Sequence, residues 1–156
     1  MALSADIVGK RYRYPEHYLV EREKVREYAT AVKNEDRAFF SEEAANELGY
    51  GGLLAPLTFT SVIGYRAQIA FFDHVNIGIS DRQIVQVDQA LKFMIPIQAG
   101  DTLFCDVEMQ SIRQAHGTDI IVNKIMITNQ NGDVVQETYT TLAGRSEEDG
   151  ESGFND

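Results

Sequence analysis

Pro56-Leu57-Thr58-Phe59-Thr60-Ser61-Val62-Ile63-Gly64-Tyr65-Arg66-Ala67-Gln68-Ile69-Ala70-Phe71-Phe72-Asp73-His74-Val75 is the stretch that decides how this chain folds. Nearly every turn of a helix drawn through it carries Phe, Ile, Val, Tyr or Ala. Its polar residues Thr58, Thr60, Ser61, Arg66 and Gln68 are too scattered to form one solvated face. That distribution predicts a helix over 56–75, buried on most sides, with the rest of the chain wrapped around it. A membrane span needs roughly 20 consecutive, mostly apolar residues, and Arg66, Gln68, Asp73 and His74 interrupt any such run. Pro56 suits a first helical turn, where its missing N–H costs nothing. Gly64 bares the backbone, which is useful where another element packs closely or a ligand approaches.

Outside this segment, composition narrows the classes. At 156 residues the chain is one domain with a single core. A formal charge of -10 argues against nucleic acid and anionic membranes as partners. Three His and one Cys leave little material for a metal centre, and no cofactor motif is present. Cys105 lies in an apolar alternating stretch and reads as a small buried residue. The start has no basic region followed by an apolar one, so the chain reads as cytoplasmic. Residues 146–156 are acidic and Gly-rich, which predicts a disordered tail after a domain spanning 1–145.

Working outward, residues 6–20 read as an extended entry broken at Pro15. From Glu21 the period changes: Val25, Tyr28, Ala29 and Val32 define an amphipathic helix of about three turns. Lys33-Asn34-Glu35-Asp36 is a polar bend, Ser41 is the N-cap of a second short helix, and Gly49 with Gly51-Gly52 ends it. Beyond Val75 the pattern is all strand. Val85, Val87, Leu91, Phe93 and Ile95 suggest one buried face, and further strands are expected over 102–112, 120–128 and 134–143. Gln114-Ala115-His116-Gly117 is a turn, and Asn131-Gly132 signals a type I′ hairpin. Long antiparallel strands bury one face, and the helix is the segment apolar enough to cover it. The fold class is therefore α+β.

One long helix wrapped by a curved antiparallel sheet of about five strands is the hot-dog architecture. Phe93-Met94-Ile95-Pro96-Ile97-Gln98-Ala99-Gly100-Asp101 resembles the strand-turn-strand signature of its MaoC-type dehydratase and hydratase branch. From about Ile7 to Arg145 the chain further resembles the HadA and HadC type subunits of the (3R)-hydroxyacyl-ACP dehydratase that elongates mycolic-acid precursors. That likeness is carried by 53–59, 83–89 and 136–144. Active MaoC-type chains have a Tyr-Ala pair, then a Gly-Asp-x-Asn-Pro-x-His loop, and later an Ala-His-Gly at the central helix. Tyr28-Ala29 is retained here, but the Asp position falls on Asn34, the His position on Phe39, and Ala-His-Gly becomes Ala55-Pro56-Leu57. HadA-type helices often carry Cys where this chain has Ser61.

Dehydration of a 3-hydroxyacyl thioester needs a base for the proton beside the carbonyl, an acid for the departing hydroxyl, and N–H donors for the enolate-like oxygen. Asn34 and Phe39 transfer no proton near neutral pH, and Pro56 has no N–H. The resemblance thus implies a chain with no catalytic residues of its own, degenerate at Asn34, Phe39, Pro56 and Leu57. It implies a partner hot-dog subunit with intact Asp and His, and an acyl-ACP substrate. Ser61, Gly64 and Tyr65, one helical turn apart, with Val85 and Gln86 on the first long strand, are the candidate acyl-binding wall; core packing is the plainer role for the helix residues. Gln86 and Asp88 lie on the strand that pairs across the dimer in this fold. Two other readings stand beside this one: a homodimeric acyl-thioester binder without chemistry, and a hot-dog thioesterase using Asp36, Glu35, Glu42 or Glu43. His74 reads as a helix-end cation and His116 as an exposed turn residue.

Overall fold

The computed structural model describes residues 3–79, 83–145 and 153–155. Three long hydrogen-bonded strands form its frame: β5 (Thr102–Ala115), β6 (Thr118–Thr128) and β7 (Val134–Arg145). The sheet runs β1-β5-β6-β7-β4, all antiparallel, with β1 (Arg11–Arg13) and β4 (Ile84–Phe93) at its edges and β2 (Tyr18–Leu19) also on β5. Six strands thus replace the expected five, because the N-terminal entry bends at Pro15 and pairs on both sides of the bend. Arg11 and Arg13 fix its register by ion pairs to Glu108 (3.0 Å) and Asp106 (3.2 Å).

Strict alternation builds the core. Leu103, Cys105, Val107 and Met109 of β5, with Ile121, Ile125 and Ile127 of β6, point to one side and are buried. The central helix α3 (Ser61–His74) packs on β5 and β6 through Ile63, Ala67, Phe71 and Phe72. It begins at Ser61, five residues later than expected. Between Pro56 and Thr60 the chain makes i→i+3 bonds, Phe59 N to Pro56 O (2.9 Å) and Ser61 N to Thr58 O (3.1 Å), so Pro56 opens a tighter turn and not the α-helix itself. Nor is α3 buried all round: Ser61, Tyr65, Arg66 and Asp73 are exposed.

The first helix, α1 (Arg22–Ala31), buries Val25 and Ala29 as its period requires. In α2 (Glu42–Glu47) the Ser41 hydroxyl accepts the Ala44 N–H at 3.3 Å, the expected cap. Gly52 is needed for close approach, since a Cβ there would stand 2.6 Å from the Ala99 carbonyl. The Pro-x-x-x-Gly-Asp signature is structural. Asp101 accepts the Gln98 N–H (3.0 Å) and the Gln130 amide (3.1 Å), while Gln98 Oε1 accepts the Gly51 and Gly52 N–H groups.

Three expectations need correction. The hairpin at 131–132 exists, but only Gly132 has positive φ; the Asn129 side chain holds the loop by accepting from Asn131 N and Asp133 N. The two-residue turn with both central φ values positive is His116-Gly117, closed by the Ala115–Thr118 pair. β4 buries neither face within the chain: Val85 is 60% and Val87 56% exposed, because this strand is an edge paired only with β7. Finally, Phe154 and Asn155 of the expected tail form a short strand, β8 (Phe154–Asn155), on β3 (Gly78–Ile79). Phe154 is fully buried, as one aromatic in a polar stretch can be once it finds a slot. Residues 146–152 and 156 lie outside the described residues.

Candidate functional site

Two clefts flank the turn that precedes α3. The first, about 280 Å³, lies between the start of α3 and strands β4, β6 and β7, and Ser61, Gly64, Tyr65 and Gln86 all line it. Four of the five expected wall residues therefore meet. Val85 does not, because adjacent strand residues face opposite ways. A bulge between Gln86 and Asp88 brings Gln86 to the same side as Gln89 and Leu91 despite the odd spacing. Gly64 leaves space: a Cβ added there would only touch Ile125 at 3.7 Å, so packing does not demand the glycine.

The floor of this cleft is polar, which sequence reasoning missed. Thr60, Gln68, Thr138 and Thr140 line it, and all are buried. Behind Gln68 the Asn123 amide donates to its Oε1 at 3.4 Å. The signal was present as Gln136, Thr138 and Thr140 at i, i+2 and i+4 on one strand, the side turned inward.

The second cleft, about 360 Å³, is lined by Phe39, Pro56 and Leu57 together with Leu54, Phe93 and Ile95. It thus gathers three of the four positions expected to be degenerate; Asn34 is not among its lining residues. Its walls are pinned by backbone bonds from Leu54 N to Ala38 O (3.0 Å), Ala55 N to Ile97 O (2.8 Å) and Ala99 N to Leu53 O (2.8 Å). Arg26 holds the Phe39 loop by donating twice to the Phe40 carbonyl, at 3.1 and 2.9 Å. Lys33 in this loop adopts the left-handed conformation, φ 57°.

One carboxylate, Asp36, lines the second cleft, and its Oδ1 accepts the Ala38 N–H at 2.9 Å as the cap of a short 3-10 turn. Glu42 is exposed and paired with Arg22 at 3.1 Å, away from this lining. Glu35 and Glu43 are exposed and line neither cleft. His74 stacks on Tyr12 with centroids 4.6 Å apart, and His116 is exposed in its turn. Tyr28 ties the two clefts' shared turn to α1. Its hydroxyl donates to the Thr58 carbonyl at 2.8 Å and lies 3.2 Å from Ser61 Oγ, while its ring packs edge-on to Phe59. Burial, with Asp106 adding to it, pushes the Cys105 thiol up to about 12, so it is no nucleophile at neutral pH. Among the described residues no group of three His, Cys, Asp or Glu is placed to hold a metal, and no helix is long and apolar enough to cross a membrane.

Residues 6–138 match the family model described as the FAS1-like, dehydratase domain region. The chain belongs to the FAS1-like dehydratase family. A UPF0336 protein of Mycobacterium tuberculosis (strain ATCC 25618 / H37Rv) is 67% identical over 156 residues, covering 100% of this chain and 98% of that protein. In the crystal structure of the C-terminally truncated HadBC (3R-hydroxyacyl-ACP dehydratase) complex from M. tuberculosis, one chain is 46% identical. It covers 91% of this chain and 100% of its own length, with a TM-score of 0.84. A solved MaoC-like dehydratase is 38% identical with a TM-score of 0.82; the match covers 90% of this chain and 42% of that one. The hot-dog architecture and the MaoC-like, HadA/HadC-type resemblance expected from the sequence are therefore correct.

Proposed function

We propose that this chain is the substrate-holding, catalytically silent subunit of a heterodimeric (3R)-hydroxyacyl-ACP dehydratase in long-chain fatty acid elongation of the mycolic-acid type. The observation that carries the reading is the apolar cleft that gathers Phe39, Pro56 and Leu57, the positions at which the family resemblance implies a histidine and a His-Gly in active chains. Asp36 is the one carboxylate in that lining and it caps a short turn through Ala38 N–H, so the base-and-acid pair that the elimination needs is not assembled there. The exposed edge strand β4, with Val85 and Val87 on its surface, supports a partner chain that continues the sheet. That partner would bring the Asp and His. This chain would hold the acyl tail, whose burial is worth at most roughly 0.8 kcal/mol per methylene.

The sequence of events on this reading is short. The partner's base takes the proton beside the thioester carbonyl, its acid protonates the 3-hydroxyl, and water leaves as the double bond forms. Here, Ser61, Gly64 and Tyr65 orient the tail so that the reacting carbons stay in register with the partner's groups.

Co-expression with an intact hot-dog partner tests the reading through complex formation and hydration of a long-chain enoyl thioester. Stable one-to-one assembly with activity that neither chain has alone is expected. A homodimer that binds acyl thioesters and ignores every such partner would support the binding-protein reading instead. Asp36 in the second cleft favours one more alternative, thioester hydrolysis by the isolated chain. Hydrolysis abolished by Asp36→Asn would establish it.

A further inference from the structure

We propose that the side chain of Gln136 is the partition that sets the longest acyl chain this subunit accepts. The inference rests on the acyl-holding reading above and adds a specificity-determining residue to it. The linings of the two clefts interleave residue by residue. On the turn before α3, Leu57 faces the apolar cleft while Thr58 and Thr60 face the other; on β7, Gln136 faces the apolar cleft and Thr138 the other. Where these linings meet, Gln136 Nε2 donates to Thr60 Oγ1 at 2.9 Å and lies 3.4 Å from Thr138 Oγ1. At this point one amide, closed against two threonine hydroxyls, stands between a residue of one lining and two of the other.

Gln136 is 2% exposed, beside a cleft otherwise walled by Phe39, Pro56, Leu57 and Phe93. An amide buried in such company is costly unless its donors are bonded. Thr60 and Thr138 meet that need, and in doing so hold the amide across the opening. An alkyl chain seated in the first cleft meets this amide end-on. It offers the amide no hydrogen bond, so it cannot displace the threonines and stops there. Cutting Gln136 back to its Cβ leaves both hydroxyls in place and makes the 360 Å³ of the apolar cleft reachable from the first.

Isothermal titration of the full chain with saturated acyl-coenzyme A thioesters of graded length reads this directly. For the native chain, affinity should rise by up to about fourfold per added methylene and then stop rising at a definite length. In Gln136→Ala that limit should move to longer chains. In Gln136→Met, which fills the same space but can no longer bond the threonines, it should also move to longer chains, by less than in Gln136→Ala, because nothing then holds the side chain across the opening. Circular dichroism confirms the fold of each variant. Should Gln136→Ala fail to fold, Thr60→Ala removes the other half of the partition and should lengthen the limit in the same way. A native chain that binds the series, with a limit unmoved in the folded opening variant, overturns the partition and leaves the acyl-holding reading standing. A native chain that binds no acyl thioester of any length overturns both.

Discussion

The ring of Phe154 occupies the space that a side chain on Gly144 would need, so the end of the chain and the end of β7 are fitted to each other. Phe154→Ala should lower stability in urea unfolding by about 3–5 kcal/mol, the range for a fully buried aromatic. Gly144→Ala should expel the same ring. In its background Phe154→Ala should therefore cost much less, whereas additive losses would show that the two residues do not meet.

Gly64 makes the opposite forecast. An alanine there meets only ordinary contact with Ile125, so Gly64→Ala should stabilise the chain by about 1 kcal/mol through helix propensity. The methyl enters the first cleft, so acyl-thioester affinity should fall while the unfolding midpoint rises. A change that raised both, or lowered both, would contradict the placement of Gly64 on the cleft wall.

Tyr28→Phe removes the donor that ties α1 to the turn before α3. A loss of about 1 kcal/mol is expected from this one hydrogen bond, measured by denaturant unfolding. Amide exchange of Ser61 and Val62, which follow that turn, should speed up more than exchange in β5 and β6. Uniform acceleration would mean that Tyr28 acts on global stability alone.

Cys105 gives a pH signature. Its thiol is raised from 9.0 to about 12 by burial first and by Asp106 second, so the folded state keeps its proton where the unfolded state loses it. Stability from this group is complete below pH 9 and is lost as pH rises from 9 toward 12. The fall in urea midpoint over that window should be shallower in Cys105→Ala. Equal slopes would place the alkaline loss elsewhere, with Tyr14 and Tyr18, also raised chiefly by burial, as the next groups to examine.

Much of this fold is legible in the residues themselves. The period-2 runs of β5 and β6 and the apolar segment around Phe71 mark the sheet and its helix, because burial leaves a pattern in each. Helix entry is harder to read: Pro56 fits a first α-turn and a tighter turn equally well, and only the i→i+3 bonds decide. The β4 pattern looks like a core face because alternation of apolar and polar residues on an exposed edge strand is the same as on a buried one. Ser61, Gly64 and Tyr65 were findable from helical spacing, whereas Val85 failed as a cleft residue through strand parity beside Gln86. The polar floor was overlooked because hydroxyl and amide residues on a strand are ordinarily taken as the wet side.

Exposed Val85 and Val87 should matter only in assembly. Val85→Lys should leave the unfolding free energy of the isolated chain within about 0.5 kcal/mol, as surface changes do. Native mass spectrometry of a co-expressed pair should show the partner lost. Assembly unaffected by the lysine would remove β4 as the shared edge.

Division of labour between two chains is tested most directly by kcat of the co-expressed complex on a long-chain enoyl thioester, with one chain altered at a time. Asp36→Asn in this chain should leave kcat within about twofold, while loss of the partner's catalytic His should lower it by roughly 10²–10⁴, the usual worth of general acid–base catalysis. A collapse on Asp36→Asn, or activity that persists without the partner's His, would place the chemistry in this chain and contradict its role as the silent, tail-holding half.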